Sequence, residues 1–303
     1  MSEFTMKKAK RFVLWTFIVS YLYAAVFYFI FNVEGGMMYL LMASGYMWIP
    51  GIIAIILYKK EKRRLRDAHI FIKFNRWFVF SWLVFVFITF LVLPVNALFP
   101  GAEFSIEMES FIAQYQDLLP EEDFQTMMEQ ITGSPWQLLA ITIVQGLFAG
   151  ITINAFFAFG EELGWRGYLY EALEPLNFWK HALISGVIWG LWHAPLIMQG
   201  HNYPGYPIIG IFMMVIWCIL LSPLFILIRM KTKSVIGAAI AHGTLNGTAA
   251  ISIIYINGGH TLINGIAGIS GWIVLLMVNG LIALYFKKKE GDTTYDPQTR
   301  LSV

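Results

Sequence analysis

The chain has 303 residues, of which 58% are hydrophobic and only 13% charged, and its formal net charge is +2. A soluble domain carries about 25% charged residues, so this composition excludes an ordinary soluble protein and favours a membrane protein. The small net charge, with basic residues dispersed over several loops, argues against a nucleic-acid partner. The single cysteine, Cys218, excludes an intramolecular disulfide.

Apolar stretches long enough to cross a bilayer recur along the whole chain. They lie at about 12–31, 37–58, 77–99, 136–158, 181–199, 207–228, 235–256 and 266–286. The sequence therefore predicts an all-α polytopic membrane helix bundle with about eight transmembrane spans. The first stretch is about twice as long as the apolar core of a signal peptide and lacks a clean cleavage site, so we interpret it as a retained anchor.

The lysines and arginines are segregated in a way that predicts the orientation of these spans. They precede the first span, connect the second to the third, the fourth to the fifth and the sixth to the seventh, and follow the eighth. Since short cytoplasmic loops retain Lys and Arg, we expect both termini to be cytoplasmic, in a bacterial plasma membrane. The opposite side receives segment 100–135, which has eight acidic residues and no basic one.

Turn residues isolate this acidic segment, since it opens with Pro100-Gly101 and closes with Gly133-Ser134-Pro135. Its apolar residues recur at helical spacing, which predicts an amphipathic helix on the outer membrane surface, a connector rather than a lid. These residues are Phe104, Met108, Phe111, Ile112, Tyr115, Leu118 and Leu119. We divide the chain into 1–135 (three spans plus the acidic segment), 136–289 (a catalytic helix core) and 290–303 (a polar cytoplasmic tail).

Four ionisable side chains lie within the predicted spans: Glu161 and Glu162 at the end of span four, His193 in span five and His242 in span seven. Such a group is a functional hypothesis by default, because its desolvation costs a few kcal/mol. Glu162 and Arg166 are four residues apart on one helix face, which predicts an ion pair that clamps the helix end. Glu161 is rotated from Glu162 by about 100° and is free to point into the bundle.

Two other pairs have the same spacing of four residues. His242 and Asn246 lie among glycine and alanine residues that let neighbouring helices approach closely. Trp189 and His193 share a face of span five, so the indole is expected to hold the imidazole in place. The other histidines fall in loops or at span ends and are interpreted as structural: His69, His181, His201 and His260. The combination on three spans favours one site in the cytoplasmic half of the membrane.

The residues in these pairs match three short motifs. "EELGWRG" resembles the EExxxR motif, "WGLWH" resembles FxxxH with Trp189 in place of phenylalanine, and "HGTLN" is similar to HxxxN. In this order they resemble the CPBP family, the CAAX-protease and bacteriocin-processing intramembrane endopeptidases, also called Abi proteins, over about residues 155–250. The resemblance implies that Glu161 activates a water, that His193 binds and polarises it, and that His242 and Asn246 stabilise the oxyanion.

Three functions remain open at this point. The first is a metal-free glutamate protease that needs no cofactor and acts on a membrane-associated peptide or protein, since the site supplies a base and oxyanion donors. The second is a zinc protease with Glu161, His193 and His242 as ligands. The third is a transporter or a non-catalytic scaffold whose buried polar groups relay protons or bind a partner. The sequence predicts neither the oligomeric state nor a prenylated substrate.

Overall fold

A computed structural model describes residues 3–33, 36–116, 121–122, 124–125, 128 and 134–290 of the chain. Its helices are α1 (Glu3–Phe29), α2 (Gly36–Lys60), α3 (Arg76–Asn96), α4 (Glu109–Gln116), α5 (Pro135–Ile151), α6 (Ile153–Glu162), α7 (Tyr170–Leu173), α8 (Phe178–Trp192), α9 (Ala194–Ile197), α10 (Pro207–Thr232), α11 (Val235–Thr248) and α12 (Ile269–Glu290). A π-helical turn, Leu163–Leu169, joins α6 to α7, and short 3₁₀ turns lie at Leu65–Ala68 and Ala249–Ser252. Strands β1 (Ala102–Phe104) and β2 (Ile256–Gly258) pair antiparallel, with Glu103 opposite Asn257. The predicted all-α membrane bundle is confirmed.

The number of helices that can cross a bilayer is smaller than the eight predicted. Within the described chain five helices are long and apolar enough, namely Met6–Phe29, Met38–Lys60, Arg76–Asn96, Pro207–Thr232 and Ile269–Lys288. A sixth span forms if Pro135–Ile151 and Ile153–Leu173, bent by 48°, are counted as one. The fifth and seventh predicted spans correspond to α8 and α11, which have 15 and 14 residues. At about 1.5 Å per residue both are shorter than a hydrocarbon core of about 30 Å, so they end inside the bundle.

The basic segments gather at one end of the bundle, which we call the basic end. Arg63 pairs with Glu171 at 2.6 Å, and Arg11 pairs with Glu61 at 2.7 Å. These contacts join the start of α1, the end of α2 and α7. The Asn75 side chain, just before α3, donates to the carbonyl of Lys231 at the end of α10. Helices α3 and α10 therefore run in opposite directions, α3 away from the basic end.

The opposite end, which we call the loop end, is formed by β1, β2 and the loops around them. Asn96, the last residue of α3, donates to the Ser252 carbonyl at 2.6 Å and accepts from the Gly265 amide at 3.0 Å. These two hydrogen bonds tie the chain after α11 to the end of α3. The loop end is thus one helix length from the basic end.

The acidic segment differs from the single amphipathic helix that was predicted. Phe104 lies in β1 rather than in a helix, and within the described part of the segment the longest helix is Glu109–Gln116. Met108 is 1% exposed and packs with Ile254 and Tyr255, so this part of the segment docks on the bundle. Leu118, Leu119 and most of 117–133 lie outside the described residues, as does the tail after 290.

Two glycines bring α6 close to its neighbours beside the predicted site residues. A Cβ on Gly160 would lie 2.7 Å from the Trp48 Cα, and one on Gly243 would lie 2.6 Å from the Ala155 nitrogen. Only glycine allows such short distances between helix backbones. The Asn154 side chain also donates to the Gly243 carbonyl at 3.3 Å. Helix α6 is therefore held against α2 and α11, which fixes the positions of the site residues next to each glycine.

Candidate active site

One cavity of about 310 Å³, which we call the central cavity, is lined by residues from all three predicted motifs. Glu161 comes from α6, Trp189 and His193 from α8, and His242 and Asn246 from α11. The last two helices end here: His193 caps the C-terminus of α8, and α11 ends two residues after Asn246. The volume is at the lower end of the range for ligand pockets, about 300–1,000 Å³.

The Glu161 carboxylate is 2% exposed and is held by the indole of Trp189. Trp189 Nε1–H donates to Glu161 Oε2 across 2.8 Å. Within the described chain Oε1 has no hydrogen-bond donor, and Glu161 lines the central cavity. One carboxylate oxygen is therefore fixed by the protein, and the other is available to a molecule in the cavity.

Glu162 is not among the residues that line the central cavity. Its carboxylate contacts two buried basic side chains, those of Arg166 and His242. Its Oε1 accepts from Arg166 Nη1 at 3.0 Å, the ion pair expected from the spacing, and from His242 Nδ1 at 2.8 Å. The Arg166 guanidinium lies over the rings of Trp189 and Phe225, with its central carbon 4.4 and 4.5 Å from their centroids. The contact between Glu162 and His242 was not predicted, and it connects the first motif to the third.

The turn that carries Arg166 is a widened π-helical turn rather than the regular α-helix assumed from the sequence. Such turns are rare and frequently occur at functional sites. The Arg166 carbonyl accepts a hydrogen bond from Arg229 Nε at 2.9 Å, and the Arg229 side chain also lies over the Tyr170 ring. The end of α10 therefore supports the turn from the basic side.

The hydrogen bonds of the two histidines determine which ring nitrogen carries the proton. His193 Nδ1 lies 2.8 Å from the Trp189 carbonyl oxygen, which can only accept, so Nδ1 is protonated and Nε2 is an acceptor in the neutral ring. His242 Nδ1 likewise donates to the Glu162 carboxylate. Both rings are packed against aromatic side chains, among them Trp189 at centroid distances of 5.9 and 5.5 Å. Each imidazole thus keeps its Nε2 for another partner.

The structure also brings His201 and Asn202 to the central cavity, although His201 was interpreted as a structural loop residue. The hydroxyl of Tyr39 lies 2.7 Å from His201 Nδ1. Burial lowers the pKa of His201 to about 4, so this imidazole is neutral at neutral pH. The loop folds back over the cavity because Tyr203 donates to the Ala267 carbonyl at 2.9 Å. No local pattern in the sequence could have indicated this long-range contact.

The predicted alternative metal site does not match the arrangement of side chains. Among the described residues, no group of three or more His, Cys, Asp or Glu side chains is placed so that it could hold a metal ion. Glu161, His193 and His242 line one cavity but do not form such a group. A catalytic zinc site needs three protein ligands, so we derive no step through a metal.

The bundle of apolar helices encloses one cavity that is lined by a carboxylate, imidazoles and a carboxamide. This combination defines the class of the protein: an integral membrane protein with a polar site inside the membrane. Comparison with known proteins then gives the family. Residues 134–248 match the family described as "Type II CAAX prenyl endopeptidase Rce1-like". Over 44 residues the chain is 43% identical to "CAAX prenyl protease 2" of Methanococcus maripaludis. This aligned segment covers 14% of this chain and 16% of that protein. Over residues 134–248, which are less than half of the chain, the sequence is therefore similar to the CAAX-protease family that the motifs predicted.

Proposed function

We propose that this protein is an intramembrane endopeptidase that hydrolyses a peptide bond of a membrane-associated peptide or protein. The observation that carries the proposal is the central cavity, which holds Glu161, His193, His242 and Asn246 although they come from three separate helices. The family match supports hydrolysis of a peptide bond as the chemistry. The matched relative is named a prenyl protease, but the match spans about one sixth of its length, so a prenyl group is not part of the proposal.

In the first step Glu161 acts as general base toward a water in the central cavity. The water donates one proton to Glu161 Oε1, and its second O–H donates a hydrogen bond to His193 Nε2. The resulting hydroxide attacks the carbonyl carbon of the substrate and forms a tetrahedral oxyanion. Glu161 then gives its proton to the leaving nitrogen as the C–N bond breaks, which yields a carboxylic acid and an amine. General-base catalysis of this kind contributes about 10²–10⁴-fold.

In the same step Asn246 and His242 stabilise the oxyanion. The Asn246 side chain is exposed to the cavity, and its amide N–H groups are donors. His242 already uses Nδ1–H for Glu162, so its Nε2 donates only when the ring carries a second proton and is a cation. The site then holds two pairs of opposite charge and stays neutral overall. One pair is Glu162 with Arg166, and the other is Glu161 with the His242 cation. This pairing is the reason that both adjacent glutamates are needed.

A comparison of membrane peptidomes tests the proposed function directly. Membranes that contain the wild-type protein and membranes that contain Glu161→Gln are compared for peptide termini that appear only with the wild type. The expected result is at least one membrane-associated polypeptide that is cut only by the wild type, and the purified protein in liposomes should cut the same bond. Identical peptidomes, with both proteins folded and equally abundant, would favour the scaffold or transporter hypothesis.

A further inference from the structure

A second, larger cavity lies next to the central cavity. It has a volume of about 710 Å³ and is formed by the loop at 200–204, the chain at 249–267 and Ser110 of α4. We call it the vestibule. Asn202 and Ala249 line both cavities, so the two volumes are adjacent at these residues.

The vestibule lies at the loop end, opposite the basic loops. Helix α3 begins beside Lys231 and ends at Asn96, which is hydrogen-bonded to Ser252 in the vestibule wall. With 21 residues, α3 spans about 31 Å, roughly the thickness of a hydrocarbon core. The vestibule therefore belongs to the membrane face that receives the acidic segment. By the charge rule this is the outer face.

The walls of the vestibule combine apolar and polar residues, and none of the lining residues is charged. Most lining residues are glycine, alanine, proline or isoleucine, and the hydroxyl and amide side chains among them are those of Ser110, Asn202, Ser252, Thr261 and Asn264. Asn264 Nδ2 donates to the Gly258 carbonyl at 2.9 Å, but its Oδ1 is buried and has no hydrogen-bond partner in the described structure. The Asn264 amide is therefore used by the Gly258 backbone, whereas the exposed Asn202 side chain is one that a ligand in the vestibule can reach.

The edge of β2 that faces away from β1 is already occupied. Ser110 Oγ accepts from the Gly258 amide at 3.0 Å, and the Gly258 carbonyl is bound by Asn264. A peptide in the vestibule would therefore not add to the sheet as a third strand. It would be bound by amide and hydroxyl side chains, which can pair with main-chain N–H and C=O groups of any sequence.

We infer that the vestibule is the substrate-binding channel through which an extended, uncharged polypeptide segment reaches Glu161 from the membrane face opposite the basic loops. This inference rests on the proposed function, since it assumes that the central cavity is catalytic. It assigns to Asn202, which lines both cavities, the binding of the substrate main chain. It also means that the substrate is presented on the side of the acidic segment and not on the side of the chain termini.

Cysteine labelling tests the route without any assay of cleavage. In a Cys218→Ala background, Ala43→Cys places a thiol in the central cavity, where Ala43 is a lining residue outside the vestibule. A membrane-impermeant maleimide is applied to each face of sealed vesicles in turn. Glu107→Cys marks the loop end and Arg66→Cys marks the basic end, since both residues are exposed. The thiol at position 43 should react from the face that labels position 107.

Filling the vestibule should then slow this reaction. Thr261→Trp places a large side chain in the vestibule wall, and Ala250→Leu is a milder second variant at another lining position. We expect the labelling rate at position 43 to fall at least tenfold with Thr261→Trp. Leu98→Trp is the matched control, because Leu98 lies at the same end of α3 and is 80% exposed. It should leave the rate unchanged.

Cleavage provides the second readout and separates the inference from the proposed function. In a protein that cuts its substrate, Thr261→Trp should raise KM at least tenfold with little change in kcat, because chemistry at Glu161 is not touched. Absence of cleavage by the folded wild type would reject the proposed function, whereas the labelling result stands on its own. Two results would overturn the channel. One is labelling of position 43 from the face that also labels position 66, and the other is a labelling rate that neither vestibule variant changes.

Discussion

Trp189 donates its indole N–H to the carboxylate of Glu161 across 2.8 Å, and both side chains are buried at the central cavity. The family motif has phenylalanine at this position, and phenylalanine has no donor. In this protein the aromatic residue therefore both packs against the two histidines and fixes one oxygen of the proposed base. Hydrogen bonds to charged groups contribute about 1.5–3 kcal/mol, so this contact is large enough to matter for turnover.

Trp189→Phe tests this contact, because it keeps an aromatic ring but removes the donor. We expect kcat to fall about tenfold or more, since a loss of about 1.4 kcal/mol corresponds to a factor of ten. Trp165→Phe is the matched control: Trp165 is equally buried, but within the described chain its Nε1 has no hydrogen-bond partner. Steady-state kinetics of both variants in liposomes would answer the question, and an equal loss in both would assign the effect to packing.

Glu161→Gln tests the general base. Glutamine keeps the shape of the side chain and can still accept the Trp189 hydrogen bond, but it cannot take the proton from water. Turnover should fall by about 10²–10⁴-fold while substrate binding persists. Glu174→Gln, a change of the same kind at the residue after α7, should keep normal turnover. Near-normal turnover of Glu161→Gln would reject the assignment.

Removal of metal ions separates the metal-free mechanism from the zinc protease. We expect a chelator to leave cleavage by the purified wild type unchanged, because in the proposed mechanism Glu161 itself activates the water. The measurement is the initial rate before and after treatment, followed by addition of zinc. Loss of activity that zinc restores would favour the metalloprotease with Glu161, His193 and His242 as ligands.

Arg166→Ala should reduce stability as well as activity. It leaves Glu162 charged and buried, and Glu162 Oε2 already lacks a hydrogen-bond partner in the described structure. Removing one partner of a buried pair costs about 3–5 kcal/mol. Arg63→Ala is the control, since the Arg63–Glu171 pair is partly exposed and such pairs contribute about 1 kcal/mol or less. Thermal unfolding in detergent should therefore shift much more for Arg166→Ala; equal shifts would contradict the buried clamp.

Asn246→Ala should reduce kcat without affecting folding. The Asn246 side chain is exposed to the central cavity, so its removal leaves no unpaired group in the protein. Loss of one oxyanion donor costs about 10²–10³-fold in kcat. The effect should appear in kcat and not in KM, because the hydrogen bond strengthens only as charge develops on the oxygen. A change in KM alone would make Asn246 a substrate-binding residue.

The sidedness of the membrane protein follows from the gathering of the basic segments at one end of the bundle. Both termini should be cytoplasmic, and the acidic segment should be external. A cysteine that replaces Asp117 in a Cys218→Ala background should react with an impermeant reagent outside intact cells. Reaction only after the membrane is opened would invert the assignment and place the vestibule on the cytoplasmic side.

The sequence by itself determined the class of fold and the candidate residues. Hydropathy predicted an all-α membrane bundle, and the spacing of four residues predicted the ion pair between Glu162 and Arg166, because neighbours on one helix face depend only on local geometry. Hydropathy could not determine how many helices cross the membrane. It measures how apolar a segment is, and a helix buried in protein is as apolar as one in lipid. Helix α8 ends before Pro195, whose ring interrupts the predicted fifth span.

Only the tertiary structure decided how the motifs meet. Trp189 lies 28 residues from Glu161, and His242 lies 80 residues from Glu162, so neither hydrogen bond follows from a local period. The second of these bonds depends on the close approach of α6 to α11 at Gly243. The same holds for His201, which reaches the central cavity because its loop is tied to the chain after α11 by Tyr203. Contacts between distant segments are set by packing, and packing is a property of the whole bundle.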